Sequence, residues 1–228
     1  MSNKDEAVGG LRHRKARHLL FGLCVFAFSH LATASDRKTD SPRPAKGDWL
    51  LRGSVLQVRS LTQSTDIPAI GGSVESPDKL LPGLDISYFL TDNWALEFQG
   101  GRVSRCYSVT GSQLGSFSVG QIDSAALTLA LQYHFRLSES AKPYLGLGAN
   151  YTWTRDVRPA QNIPDFDVEP IMSAVVAAGT DFKIAPNWVL NSSVKYFISP
   201  AYEFKGSNFN ATVRVNTLVV GTGIGFYF

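Results

Sequence analysis

Along much of the chain, apolar and polar residues alternate with a period of two. Leu84, Ile86, Tyr88 and Leu90 share one face, with Asp85 and Ser87 on the other; Trp94, Leu96 and Phe98 stand against Glu97 and Gln99. Leu127, Leu129, Leu131, Tyr133 and Phe135 oppose Gln132, His134 and Arg136, and Leu145, Leu147, Tyr151 and Trp153 oppose Gly146, Gly148, Asn150 and Thr152. This period belongs to strands, whose side chains point alternately to the two faces of a sheet. It predicts eight strands, at residues 48–59, 80–91, 93–105, 121–137, 142–155, 171–184, 187–203 and 213–228. The connections alternate in length. Those at Thr91-Asp92-Asn93, at 138–141 and at Ala185-Pro186-Asn187 are tight, whereas those near 60–79, 106–120, 156–170 and 204–212 are long and rich in Gly, Ser, Asn and Pro.

The continuous face is the apolar one, and charges fall on the other. A water-soluble barrel would line its cavity with the apolar residues and turn the polar ones outward. The pattern therefore predicts an all-β fold, an eight-stranded antiparallel transmembrane β-barrel of the bacterial outer membrane, with short turns and both termini in the periplasm. Inward parity makes Arg52, Asp85, Glu97, Gln99, Asn150 and Lys195 the pore-lining candidates. Their mixture of signs argues against strong ion selectivity, and eight strands leave a narrow interior. Trp49, Trp94 and Trp188 follow turns and are expected to form a periplasmic aromatic girdle, with Trp153 at the opposite one. Outward parity in the last strand gives Leu218, Val220, Ile224, Phe226 and Phe228, with inward Gly221, Gly223 and Gly225 making room. The terminal aromatics Phe226 and Phe228 resemble the assembly signal read by the barrel-assembly machinery.

The first 34 residues read as a cleavable export signal. Arg12, Arg14, Lys15 and Arg17 precede the apolar run LLFGLCVFAF, and Ala32-Thr33-Ala34 supplies the small-x-small pattern. Residues 35–47 are polar and contain two prolines, as in a flexible periplasmic tail, which leaves 48–228 for the barrel. Removing the signal changes the electrostatic picture. The whole chain has 22 Lys and Arg against 19 Asp and Glu, of which the signal takes five and two, leaving 17 of each. The basic excess thus leaves with the signal, and with it the argument for nucleic acid as a partner.

Candidate chemistry is sparse. His13, His18 and His30 belong to the signal, which leaves His134 alone, and Cys106 is the one cysteine beyond Cys24. A Ser-His-Asp centre would need His134 as base, yet the position two residues on, where small outer-membrane deacylases place serine, is Arg136. No catalytic residues, metal site or cofactor are expected. Asp165, Asp167 and Glu169 alternate in one long loop, but Pro170 stands where a calcium loop would turn on glycine, so they read as a solvated acidic loop. Four arginines, Arg59, Arg102, Arg155 and Arg214, break the rule that charges point inward. All four lie at the long-loop ends of their strands, where an outward guanidinium suits lipopolysaccharide phosphates.

Several longer segments, KPYLGLGANYTW, LDISYFLTDNWALEF, GTDFKIAPNWVLNSSVKYF and the ending GIGFYF, resemble the outer membrane protein W family over most of residues 47–228. The resemblance implies an eight-stranded barrel that passes small hydrophobic molecules across the outer membrane, with lipid and lipopolysaccharide as surroundings. Two other readings stay open on the residues alone. One is a structural or adhesive barrel acting through its long loops. The other is a soluble lipocalin-like binder, which Gly47-Asp48-Trp49 favours by matching a Gly-x-Trp signature. Loop residues Phe117, Phe166 and Phe209 are candidates for an apolar way in.

Overall fold

The structure is a computed structural model and describes residues 44–66, 71–206 and 210–228. The export signal, most of the tail and Phe209 lie outside the described residues. The strands are β1 (Trp49–Asp66), β2 (Ser73–Glu75), β3 (Lys79–Phe89), β4 (Trp94–Ser112), β5 (Gly115–His134), β6 (Ala141–Pro159), β7 (Phe166–Val168), β8 (Ile171–Ala185), β9 (Trp188–Ile198), β10 (Ala201–Gly206) and β11 (Asn210–Tyr227).

Eight of these are staves, in the order β1-β3-β4-β5-β6-β8-β9-β11, each antiparallel to its neighbours. The ladder from Leu50↔Tyr227 to Asp66↔Thr212 joins β11 back to β1 and closes the barrel. The seam is completed by Phe228, whose backbone exchanges two 3.0 Å hydrogen bonds with Trp49. Closure is what lipid demands, because an open sheet edge in hydrocarbon would leave its N–H and C=O groups without partners.

All eight expected strands are present, but several run further than expected toward the long-loop end. β4 and β5 have 19 and 20 residues, well beyond the roughly 9–11 that cross a bilayer. Their ladder continues to Ser112↔Gly115, so most of 106–120, read as a loop, is a paired hairpin. Outside the bilayer neither face must be apolar, and a stretch such as SRCYSVTGS loses the alternation by which a strand is recognised while its backbone keeps pairing. In the expected seventh strand, 187–203, β9 ends at Ile198 and the chain resumes as β10 after Pro200, which has no N–H to give.

The outer surface is apolar. Leu84, Leu145, Leu147 and Met172 are each more than half exposed, which is the normal state of a side chain that faces lipid. At the short-turn end the tryptophans pack on outward aromatics of neighbouring staves: Trp49 on Tyr88 at 4.7 Å between ring centroids, Trp94 on Tyr133 at 5.0 Å and Trp188 on Phe226 at 4.9 Å. Trp153 stacks on Tyr151 further up β6.

Residues just before β1 are tied to the first short turn. Pro44 is buried, Gly47 donates to the Phe89 carbonyl at 2.8 Å, and the Lys46 N–H donates to Asp92 Oδ1 at 3.1 Å. Packing thus begins about four residues before Asp48. Asp92 also receives Arg136 at 2.7 Å. The hydrogen bond from Arg136, followed by that from Lys46, holds the Asp92 carboxyl below its ordinary range. A lowered carboxylate pKa makes the turn contact strongest above the ordinary Asp range and loses it as pH falls through the lowered value. In an NMR titration of the folded barrel, Arg136→Gln should move the Asp92 midpoint upward; an unmoved midpoint would exclude the pair as the cause.

Candidate functional site

The interior divides into two halves. Toward the short turns it is filled by a network of charged and polar side chains from seven staves. Arg52 on β1 is 1% exposed. Its Nε and Nη2 donate to the two oxygens of Asp181 on β8 at 3.1 and 2.8 Å, a bidentate pairing that the planar guanidinium favours. Its Nη1 donates to Asp85 at 3.0 Å and Ser87 at 2.9 Å, both on β3, and lies 3.6 Å from Glu97 on β4. Glu97 is in turn held by Lys195 of β9 and by Gln132 of β5, at 2.5 and 2.7 Å, while Lys195 also donates to Gln99 at 2.9 Å. Asn191 donates to Asp181 at 2.8 Å and to the Tyr144 hydroxyl at 3.2 Å.

Room for Arg52 comes from the residue opposite it in the ladder, Gly225. A Cβ there would come within 3.1 Å of Val189, Leu50 and Arg52 side-chain atoms at once. Leu50, Phe89, Ala95, Val189 and Tyr227 pack beneath the network as an apolar base. Together they close the barrel axis at this end.

His134 sits inside the same floor. Its Nε2 is 3.2 Å from Gln132 Oε1, its Nδ1 is 3.9 Å from Asp181, and its ring stacks on Tyr144 at 4.9 Å. Its surroundings are those of a packed interior side chain, with Gln132 rather than a serine in hydrogen-bond reach.

Above the floor lies a cavity of about 210 Å³. Its wall mixes apolar side chains, among them Leu56, Val58, Leu81, Val103, Ile122, Ile171 and Phe197, with hydroxyls and amides such as Ser124, Thr128, Asn150, Thr152 and Ser173. Of the six residues assigned inward, Gln99 and Asn150 line this cavity, whereas Arg52, Asp85, Glu97 and Lys195 belong to the floor. Asp181, Gln132, Tyr144 and Asn191 complete the floor. Parity alone places Asp181 and Gln132 inward, but it cannot reveal which inward charges meet across the barrel.

The β3–β4 ladder stops at Leu84↔Gly100, although β3 extends down in number to Lys79 and β4 continues upward. Continuing that register would set Pro82 opposite Arg102 and Lys79 opposite Arg105. Neither pairing is favourable, because Pro82 has no N–H and two cations would face each other. The break ends where β2 takes over as partner of β4, at Glu75↔Ser108. Pro82 and Gly83 on one lip, and Gly100, Gly101, Arg102 and Val103 on the other, all line the cavity, so the break is a lateral window into it. A Cβ at Gly100 or Gly101 would meet no atom within 4 Å.

The OmpW family profile matches residues 45–228. The chain belongs to the OmpW family. It is 30% identical to an uncharacterized outer-membrane protein, y4mB, of Sinorhizobium fredii over 79% of this chain and 80% of that one. It is 26% identical to the dibenzothiophene metabolism operon protein PahQ of Pseudomonas aeruginosa, over 69% and 76% of the two chains. The crystal structure of the outer membrane protein OprG from Pseudomonas aeruginosa superposes with a TM-score of 0.74 at 23% identity, covering 83% of this chain and 99% of that one. The protein is thus an outer-membrane β-barrel.

The four arginines assigned outward occupy different levels. Arg102, Arg155 and Arg214 are exposed, and Arg155 falls in the bulge between Asp123 and Ser124 of the β5–β6 ladder. Arg59 is engaged by Asp78 at 2.9 Å. In the β1–β11 ladder Arg59 faces Leu218 whereas Arg214 faces Ser64, four positions further from the bilayer. Phe117 packs against the Val74–Val109 cluster and Phe166 is buried.

Removing Arg52 would leave Asp85 and Asp181 buried without their counter-charge, for which the cost is about 3–5 kcal/mol. Arg52→Leu should therefore lower the urea midpoint of the folded barrel in lipid. Adding Asp85→Asn and Asp181→Asn should recover part of the loss; no recovery would refute the ionic account of the floor.

Proposed function

We propose that this barrel passes small apolar molecules from the outside into the membrane by way of its side. The observation that carries this reading is the continuity between a half-apolar cavity and the β3–β4 window, above a floor that blocks the axis. A solute entering from the long-loop end meets ionic pairs ahead and an open, apolar lip beside it. Leu80 and Leu84, both more than half exposed, continue that lip onto the lipid face. The relative named for dibenzothiophene metabolism supports an apolar, aromatic-sized solute. In this reading Gln99 and Asn150 line the path, and the charged residues below serve as its floor.

Filling the window tests the proposal. Gly101→Trp adds bulk at a glycine whose Cβ would meet no atom within 4 Å, with heat-modifiable gel mobility as the check that the variant folds. Uptake of a fluorescent apolar probe by liposomes containing this variant should fall several-fold toward that of empty liposomes. Uptake equal to the unaltered protein would sink lateral passage, and no uptake by the unaltered protein would sink transport altogether.

The exposed arginines Arg102, Arg155 and Arg214, with Arg59 less available because of Asp78, suit contact with lipopolysaccharide phosphates, and Phe226 and Phe228 suit recognition by the assembly machinery. Replacing the three exposed arginines with Glu should reduce the lipopolysaccharide that co-purifies with the barrel; undiminished co-purification would discard that role.

A further inference from the structure

The cavity holds a cation that the floor does not use. Arg105 points inward from β4 and lines the cavity wall, half-buried. The two floor cations have carboxylate partners: Arg52 has Asp85 and Asp181, and Lys195 has Glu97. Arg105 makes one long contact, from Nη1 to Ser60 Oγ at 3.4 Å, and no carboxylate among the described residues forms an ion pair with it. A guanidinium carries five N–H donors in a plane, so most of its capacity is left for a ligand that enters the cavity.

We propose that the cavity is a binding site for small amphipathic monoanions, with a carboxylate headgroup on Arg105 and an apolar tail toward the window. This deepens the transport reading and rests on it for the direction in which the ligand leaves. A planar carboxylate matches the guanidinium fork bidentately. Hydroxyls of Ser60 and Ser124 line the same cavity, as do Leu56, Leu81 and Val103, which offer the tail an apolar surface. The charge distribution orients the ligand. Lys79 on β3, whose Nζ donates to the Ser104 carbonyl, and Arg102 on β4 flank the window on its two sides, whereas Glu169 lines the cavity from the segment before β8, three staves round the barrel from β4. The cations draw an anion to the β3–β4 side of the cavity. The volume of about 210 Å³ is below the roughly 300–1,000 Å³ of drug-sized pockets, which fits a short-chain acid.

The test compares octanoate with octan-1-ol, which share a tail and differ in charge. Binding of each radiolabelled probe is measured to the barrel in lipid nanodiscs, with empty nanodiscs as reference and heat-modifiable gel mobility as the check of folding. Octanoate should bind saturably, about tenfold more weakly to Arg105→Gln, and with most of its affinity retained by Arg105→Lys. Octan-1-ol should bind the three proteins alike. Absence of saturable octanoate binding, equal octanoate binding to Arg105→Gln, or parallel loss of both probes in a folded Arg105→Gln would each overturn the proposal. Octanoate binding that depends on Arg105, in a barrel that fails to take up the apolar probe into liposomes, would leave the site standing and remove the transport reading.

Discussion

In hydrocarbon, each backbone N–H and C=O must find a partner within the protein, and this requirement governs the barrel. It explains why β11 returns to β1 and why the last residue is hydrogen-bonded on both sides of its peptide. It also makes the β3–β4 break the place that most needs explaining. The chain limits the cost there in two ways. Pro82 carries no N–H to leave unsatisfied, and Lys79 reaches across to the Ser104 carbonyl, supplying from a side chain what the ladder would have supplied from a backbone. The window is thus built from residues that reduce the penalty of leaving two staves apart.

The floor obeys the complementary rule for side chains. A ring of eight strands has little interior volume, and in its lower half that volume is given to three carboxylates, two cations and the amides and hydroxyls that bond them. Buried ion pairs add little net stability over an apolar filling, but they are directional. Arg52 can meet Asp85, Ser87 and Asp181 together only when β1, β3 and β8 hold one register. An apolar plug would tolerate a shift of two residues, which keeps the same face inward; this network would not. The floor therefore fixes the alignment of the staves whose upper parts frame the cavity.

The membrane-spanning half of the fold was legible in the sequence because lipid imposes period-two alternation on it. Leu84 to Leu90 and Leu127 to Phe135 declare both strand and face. The upper half was not legible, because water imposes no such rule and CYSVTGS reads as a loop although it pairs through most of its length. Inward charges such as Arg52 and Glu97 could be assigned to the lumen one by one, but their partners lie 33 to 129 positions away in sequence for Arg52 and 98 for Lys195 with Glu97. Contacts that long are set by barrel closure and stagger, not by local pattern. The same holds for the window, whose ingredients Pro82, Gly83, Gly100 and Gly101 are visible but whose opposition across the ladder is not. Arg105 is the last residue of the strand expected at 93–105, and the alternation assigned to that strand's faces stopped at Gln99.

Height within the bilayer ties the window to its chemistry. Counting from the girdle at Trp94, Gly101 to Arg105 are the eighth to twelfth residues of β4. At about 3.3 Å per residue and a tilt of roughly 40°, ten residues rise about 25 Å, the thickness of the apolar band of such barrels. The lower lip of the window thus lies in the outer part of the hydrocarbon and its upper end at the headgroups. Arg102 and Lys79 can stand at this level because charge near the interface costs little, while Leu80 and Leu84 continue the opening into lipid. A molecule leaving sideways here would meet headgroups with its polar end and acyl chains with its apolar one, and an amphipathic ligand would keep the same orientation from cavity to membrane.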